Sequence, residues 1–563
     1  METAVQQEQA TRTLVESFYH WERQRPEKLF LRQPVGDNYI DFTWAEVGQQ
    51  ARRLATYLNS LGLAPHSNIG LLSKNCAHWL IADIAILISG HVSVPFYPTL
   101  TGPQLRQVLD HSQCPVLFVG KIDNWEAMKP GVPEGVHCIA FPDYRPNSSA
   151  PDPDYIQWDT IQHQFEPQQE SPVPSPDDLF TIIYTSGTTG NPKGVMVDYG
   201  AALSAAEHTK SRLCHDLPET RFFSYLPLCH VAERNVVEAT CLYTGGTIYF
   251  TESLDSFAKN LAAARPTHFI AVPRIWAKLQ QGVLAKLPPQ KLETLLKIPV
   301  ISSVIKRKIR QALGLNDAKL ILTGAAPMPV SLLRWYRRLG IRIQEAYGMT
   351  ENLGAVSMMP PDTIKDGTVG KLYDGVDIRL DPITGEIITR CGWLMRGYYR
   401  EPALTEAVLK EGWLATGDVG HVDEEGYLRI TGRVKEMYKS PKGEYIAPAQ
   451  IEFGFAENTY IEQICVGGQQ LPQPIALVVL SEMGRRADRQ IVGRSLEETL
   501  HGLNPQLHAY EHVRKVVVVK EPWTVENNLM TPTMKIKRNV IETRYEPSME
   551  PWFKRSEIVI WEE

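Results

Sequence analysis

Residues 184–194 read YTSGTTGNPKG, directly after the apolar run Leu179–Ile183. The stretch holds three glycines, four aliphatic hydroxyls and one lysine. Glycines let backbone N–H groups approach an oxyanion closely, hydroxyls add donors, and Lys193 adds a point charge. That combination suits phosphate. The spacing is nevertheless not that of a Walker loop, G-x-x-x-x-G-K-[ST]. Counted from Gly187, position 192 is proline where glycine belongs, and position 194 is glycine where Ser or Thr belongs. A P-loop kinase or GTPase is excluded on that count. A polar turn would explain a short match, not a run of this length placed after a strand.

Outward from this loop the chain alternates helix and strand. Thr43 and Glu46 form a capping box ahead of Val47, Ala51, Leu54, Leu58 and Leu61, and Gly62 ends the run. Short apolar segments recur: SNIGLLS, PVLFVG, FTIIYT, TIYFT, HFIAV and KLILTG. This alternation predicts α/β layers with largely parallel sheets. Residues 142–176, rich in Pro and Ser, read as an irregular surface connection. A second break is expected near 424–433, EEGYLRITGR, with smaller β-rich units (ICVGG, PIALVVL, VRKVVVVK) forming a compact C-terminal domain from Arg433 onward.

Composition narrows the class. The 563 residues exceed one small domain, and 58 basic against 64 acidic side chains give a net charge of −6, with no general pull toward nucleic acid. Eight scattered cysteines without a CxxC pair predict a reduced compartment, with neither disulfides nor zinc. The polar start METAVQQEQATRT lacks a signal-peptide core. WLIADIAILISG (79–90) is interrupted by Asp83 and falls short of the roughly 20 residues a bilayer span needs. A cytoplasmic protein is the expectation.

With YTSGTTGNPKG stand seven further motifs in a fixed order: PLCHVAER (227–234), GAAP (324–327), YGMTE (347–351), GEIITRCGWLMRGYY (385–399), GWLATGDVG (412–420), GRVKE (432–436) and TPTMKIKR (531–538). Together they resemble the adenylate-forming superfamily over about residues 13–545. LPLCHVAER, KSPKGEYIAPAQIE (439–452) and TPTMKIKR resemble its long-chain fatty acid–CoA ligase branch. The resemblance implies a large multi-subdomain N-terminal adenylating domain of layered α/β sheets (1–432) and a small mobile α+β C-terminal domain (433–563).

It also implies roles. Thr185, Ser186, Gly187, Thr188, Thr189, Gly190 and Lys193 would wrap the β- and γ-phosphates of ATP. Glu351, after Thr350, would hold Mg²⁺, a hard cation suited to one carboxylate plus phosphate oxygens. Tyr347 would lie on the adenine, with Gly324, Ala325, Ala326 and Pro327 along its other side and Glu345, Ala346, Gly348, Met349 and Ile430 completing the nucleotide site. Asp418 suits the ribose hydroxyls, and Arg433 would reach the same sugar. His230 would stand beside the acyl carboxylate. Lys535 would bridge that carboxylate and the α-phosphate. A cation about 4 Å from developing charge is worth roughly 4 kcal/mol at an effective dielectric near 20, about three orders of magnitude in rate. Lys537 and Arg538 read as a solvated face. Lys435 would be the pivot that withdraws Lys535 and presents the loop around Gly443 to the pantetheine of CoA.

The implied activity is conversion of a medium- or long-chain fatty acid to acyl-AMP and then acyl-CoA. A carrier-protein phosphopantetheine is the alternative acceptor. Amino-acid adenylation would need a buried anion for the ammonium group, and a scaffold without chemistry sits poorly with intact Lys193, Glu351, Asp418, Arg433 and Lys535. IPVISSVIKRKIRQALGL (298–315) mixes apolar and basic residues and reads either as an ordinary surface helix or as a peripheral membrane contact.

Overall fold

The computed structural model describes residues 12–145, 148–186, 192–217, 219–441, 443–525, 527–531 and 535–563. Two large sheets carry most of the chain. In the first, the spatial order is Gly397–Tyr398, Pro192–Asp198, Leu179–Ser186, Val92–Phe96, Asn68–Leu72, Val116–Val119, His137–Ala140 and Ile156–Gln157. Pairings from Leu179–Ser186 to Ile156–Gln157 are parallel, while the other two are antiparallel. The second runs Lys371–Leu372, Ser357–Met358, Gln344–Tyr347, Leu320–Thr323, His268–Ile270, Arg221–Ser224, Thr247–Phe250, Leu29–Val35 and Asn38–Thr43, parallel through its middle.

Each apolar segment read from the sequence contains a strand of these sheets. Buried on both faces, such strands lose the polar alternation of a half-exposed sheet. The helix Trp44–Ser60 starts on the expected box: Thr43 Oγ1 accepts from Glu46 N at 3.2 Å, and Glu46 Oε2 accepts from Thr43 N at 2.7 Å.

The helix Ala77–Ile88 is buried along its whole length and belongs to a core cluster drawing on both sheets. Its one charge, Asp83, faces Arg234 through contacts of 3.2 and 3.3 Å, both side chains being almost fully enclosed. The interruption in the greasy run is thus half of a buried ion pair.

A third, antiparallel sheet comprises Asp377–Leu380, Glu386–Arg390, Trp413–Val422 and Leu409–Lys410, with Leu428–Arg433 on Trp413–Val422. EEGYLRITGR is a turn and a strand: the turn Asp423–Tyr427 leads into Leu428–Arg433 of this sheet. The 142–176 connection departs from expectation. It contains Ile156–Gln157 and the helix Trp158–Gln164, which buries Trp158 and Ile161.

Beyond Arg433 come a small hairpin (Tyr438–Lys439 with Tyr445–Ile446) and a four-stranded sheet of Ile461–Gly467, Ile475–Leu480, Lys515–Val518 and Val559–Trp561. That sheet has its own cores on two faces, one under Arg489–Leu503 and one under Arg538–Lys554.

Candidate active site

The strands Leu179–Ser186 and Pro192–Asp198 form a hairpin whose register pairs Thr185 with Lys193 and Ser186 with Pro192. Gly187, Thr188, Thr189 and Gly190 lie outside the described residues. Gly397–Tyr398 pairs with Met196 and Val195, which stitches the GEIITRCGWLMRGYY motif to this hairpin. Tyr398 was not singled out by sequence, yet it joins two expected residues. Lys193 Nζ sits 4.8 Å from its ring centroid, and its hydroxyl donates to Glu351 Oε1 at 2.7 Å.

Glu351 lies on the 3-10 turn Thr350–Asn352, and both it and Thr350 are buried. Burial lifts the Glu351 pKa, against the pull of Tyr398, Lys193 and Arg433. A divalent cation would restore the ionised form that burial disfavours, so this carboxyl fits Mg²⁺. Among the described residues no group of three or more His, Cys, Asp or Glu could hold a metal. A cation at Glu351 would have to take further oxygens from phosphate.

The YGMTE segment continues the strand Gln344–Tyr347, whose parallel neighbour Leu320–Thr323 ends in the GAAP turn. Ala325, Ala326 and Pro327 are exposed there, Ala325 with a φ of +64°, and Gly324 is partly exposed. A Cβ on Gly324 would fall 3.1 Å from the Ala346 carbonyl oxygen. Gly348 is tighter still: a Cβ would stand 2.2 Å from the Gly354 carbonyl carbon, so no other residue fits. Met349 N–H donates to Asn352 Oδ1 at 2.8 Å, closing the turn over this contact. Glu345 is buried with Oε2 unpartnered among the described residues, and burial raises its pKa to about 8.

Asp418 and Arg433 are register partners on adjacent strands. Asp418 Oδ2 accepts the Tyr347 hydroxyl at 2.7 Å, and Oδ1 accepts Arg433 Nε at 2.8 Å. Each oxygen keeps a second lone pair for a ligand. Ile430, opposite Gly420, is partly buried on the same hairpin.

His230 caps the short helix Val231–Glu233, its Nδ1 accepting from Ala232 N at 3.2 Å. The neutral ring then carries its proton on Nε2. Burial, reinforced by Lys535, pushes the His230 pKa down to about 4, so the ring is uncharged at neutral pH. Beneath it Asn75 braces the preceding loop, donating to Ser224 Oγ and Leu226 O and accepting from Leu228 N. Glu233 lies fully buried there, its pKa raised to about 8 by burial.

Lys535 comes from the far end of the chain, its backbone carbonyl accepting from Thr531 N at 2.7 Å. The side chain keeps solvent access, yet protein surrounds it. That crowding, with repulsion from Arg433, lowers its pKa, while Asp418, Glu436 and Glu351 oppose the shift. One ammonium thus senses residues from four separate motifs. Lys435 is exposed on the 3-10 turn Val434–Glu436, and Gly443 occupies an exposed turn at φ +88°. Neither touches this cluster among the described contacts.

Arg538 is not the solvated residue its basic neighbourhood suggests. It is largely buried, bonding Glu452 Oε1 and Oε2 at 2.7 and 2.8 Å and Val466 O at 2.7 Å, with Glu436 Oε2 at 3.7 Å. Lys537 is partly exposed and bonds Asn528 Oδ1. The Arg538 partner Glu452 lies 86 positions away, beyond the reach of local spacing.

Residues 18–399 match the AMP-binding enzyme family and residues 440–557 the AMP-binding enzyme C-terminal domain. Long-chain-fatty-acid–CoA ligase 5 of Rattus norvegicus is 30% identical, covering 89% of this chain and 82% of that protein. Long-chain-fatty-acid–CoA ligase FadD15 of Mycobacterium bovis is 28% identical, covering 95% and 96%. The solved adenylation domain of a carboxylate reductase from Mycobacterium chelonae superposes with a TM-score of 0.80 at 22% identity, over 97% of this chain and 92% of that one, a likeness of fold. With the two family domains matched in order over residues 18–399 and 440–557, this chain belongs to the AMP-binding enzyme family.

Proposed function

We propose that the cleft activates a medium- or long-chain fatty acid with ATP and passes the acyl group to CoA. In the first step a carboxylate oxygen attacks the α-phosphorus and pyrophosphate leaves. In the second a thiolate attacks the acyl carbon, the C–O bond to phosphate breaks, and AMP leaves. The observation that carries this reading is the hydrogen-bonded set in which Tyr347 and Arg433 both engage Asp418 while Tyr398 links Lys193 to Glu351, in a chain related to long-chain-fatty-acid–CoA ligases over most of its length.

Each residue has a task set by its surroundings. Lys535 neutralises charge between carboxylate and α-phosphate. His230, neutral with its proton on Nε2, donates a hydrogen bond to the acyl oxygen rather than acting as a cation. Asp418 holds the ribose hydroxyls, itself oriented by Tyr347 and Arg433. Lys193 binds the outer phosphates from beside Tyr398. Mg²⁺ at Glu351 would supply charge neutralisation for the departing pyrophosphate.

In this reading residues 1–432 form the adenylating domain, and 433–563 a lid that turns about Lys435 to exchange Lys535 for the loop around Gly443. Peripheral contact with a membrane, where fatty acids reside, belongs to the same reading. The test is pyrophosphate release across fatty, aromatic and amino acids, with CoA, a carrier protein or neither. Fatty acids should release pyrophosphate, and CoA should then yield thioester and AMP. Turnover of aromatic or amino acids alone would defeat the substrate assignment, and thioester on the carrier protein alone would defeat CoA as acceptor.

A further inference from the structure

The surface around residues 297–308 is unlike the rest of the chain. Helices Pro289–Leu296 and Pro299–Ala312 form a hairpin, and Leu292 and Ile309 anchor it in the core beneath Leu320–Thr323 and Val330–Arg338. The second helix buries Ser302 and Ile309 on its inner side. An amphipathic helix needs one apolar stripe for that purpose. This one has a second: Ile298 is 44% exposed, Val300 77%, Ile301 39% and Val304 41%. Four large aliphatic side chains thus stand in solvent within seven residues of sequence. Val300 and Val304 share a face, and Arg307 and Lys308 follow on it at the next turn.

Charge distinguishes the same element. Residues 286–310 contain seven basic side chains (Lys286, Lys291, Lys297, Lys306, Arg307, Lys308 and Arg310) and one acid, Glu293, in a chain of net charge −6. Glu293 is already engaged by Arg338 at 2.6 Å. Among the described residues none of the seven basic groups forms an ion pair. Exposed aliphatics with exposed, unpaired cations such as Lys297, Arg307 and Lys308 close by in sequence are complementary to one kind of surface: an anionic headgroup layer over hydrocarbon. No helix among the described residues is long and apolar enough to cross a membrane.

We propose that the hairpin 289–312 docks this protein on an anionic lipid bilayer, the loop and first turn at 298–304 entering the interface while Lys297, Arg307 and Lys308 meet the headgroups. The use of such docking, collecting an acid that partitions into lipid, rests on the fatty-acid reading; the binding itself does not.

Flotation of the full chain with vesicles tests it, using phosphatidylcholine alone and phosphatidylcholine mixed with phosphatidylglycerol. The protein should float with the mixed vesicles, far less with the neutral ones, and less as salt rises. Val300→Asp combined with Val304→Asp, or Lys306→Glu with Arg307→Glu and Lys308→Glu, should each lower the bound fraction by about tenfold or more. Thermal stability and turnover of a water-soluble acid should be unchanged, because none of these side chains belongs to the buried core beneath the hairpin. Absence from the mixed vesicles, equal flotation with both kinds, or variants that float like the parent would overturn the proposal. So would a dimer that the valine variant dissolves, since a second copy would then be the occupant. If flotation persists while no fatty acid releases pyrophosphate, the docking stands and the substrate reading falls.

Discussion

Arg433 donates its Nε–H to Asp418 Oδ1 at 2.8 Å, from a register partner on the adjacent strand. The carboxylate is enclosed, whereas the guanidinium is 42% exposed, so the pair presents its cationic side outward. Asp418→Asn should remove the charge that Arg433 faces and weaken the acceptor for ribose. The expected result is a rise in KM for ATP of about tenfold to a hundredfold, consistent with roughly 1.5–3 kcal/mol for a hydrogen bond to a charged group. Isothermal titration with ATP checks it: unchanged affinity would remove Asp418 from the nucleotide site.

The two half-reactions separate the lysines. Lys535→Ala should lose about a thousandfold in adenylate formation while still converting supplied acyl-adenylate and CoA to thioester. Lys435→Pro should do the opposite, because proline fixes φ on the turn where rotation is expected. Rapid-quench measurement of pyrophosphate and thioester distinguishes them. Equal losses in both steps for either variant would contradict a lid that alternates.

Arg538 ties the turn Val434–Glu436 to Glu452 and the end of Ile461–Gly467, three residues from Lys535. Arg538→Met would strand Glu452 in a buried site, a loss of about 3–5 kcal/mol. Unfolding should shift accordingly in differential scanning calorimetry. Adenylation kcat should fall with KM for ATP unchanged, and Arg538→Lys should restore part of it. A stability loss with kcat intact would reduce Arg538 to a purely structural residue.

Glu233 gives a pH signature. Burial raises its pKa from the ordinary carboxyl value to about 8, so the folded state holds a proton that the unfolded state releases. Where the folded chain binds more protons, stability falls as pH rises. The contribution is complete below the unfolded carboxyl pKa of about 4.3 and is lost by the time pH passes about 8. Glu233→Gln should flatten this part of a stability curve measured by denaturant unfolding from acid to mild alkali. A variant curve parallel to the parent's would show Glu233 titrating alike in the folded and the unfolded chain. Lys535 acts on rate instead: its lowered pKa predicts that adenylation declines on the alkaline side before an ordinary lysine would deprotonate, and Lys535→Arg should abolish that decline.

Gly348 has no room for a side chain against Gly354. Gly348→Ala should therefore displace Tyr347 and Thr350 together, costing both nucleotide affinity and Glu351 placement. Crystallography of the variant, or loss of ATP-induced thermal stabilisation, reports it, and a fully active alanine variant would mean that the turn yields.

What the sequence determined by itself is local. The box at Thr43 and Glu46, the apolar strands and the strand before YTSGTTGNPKG follow from spacing over a few residues, and the ordered motifs carried the family. Which side chains meet was decided elsewhere. Asp83 read as an interruption and proved to be the partner of Arg234, 151 positions away. Arg538 read as solvated and proved to be the clamp on Glu452 and Glu436, 86 positions from the former. Tyr398 lay inside a motif yet showed its link to Lys193 and Glu351 only in three dimensions. The reason is physical: hydrogen-bond register and helix periodicity act between near neighbours, whereas the pairing of a buried charge depends on which sheets stack and in what register. Only the tertiary structure supplies those terms, and they set Arg433 and Tyr347 on the two oxygens of Asp418.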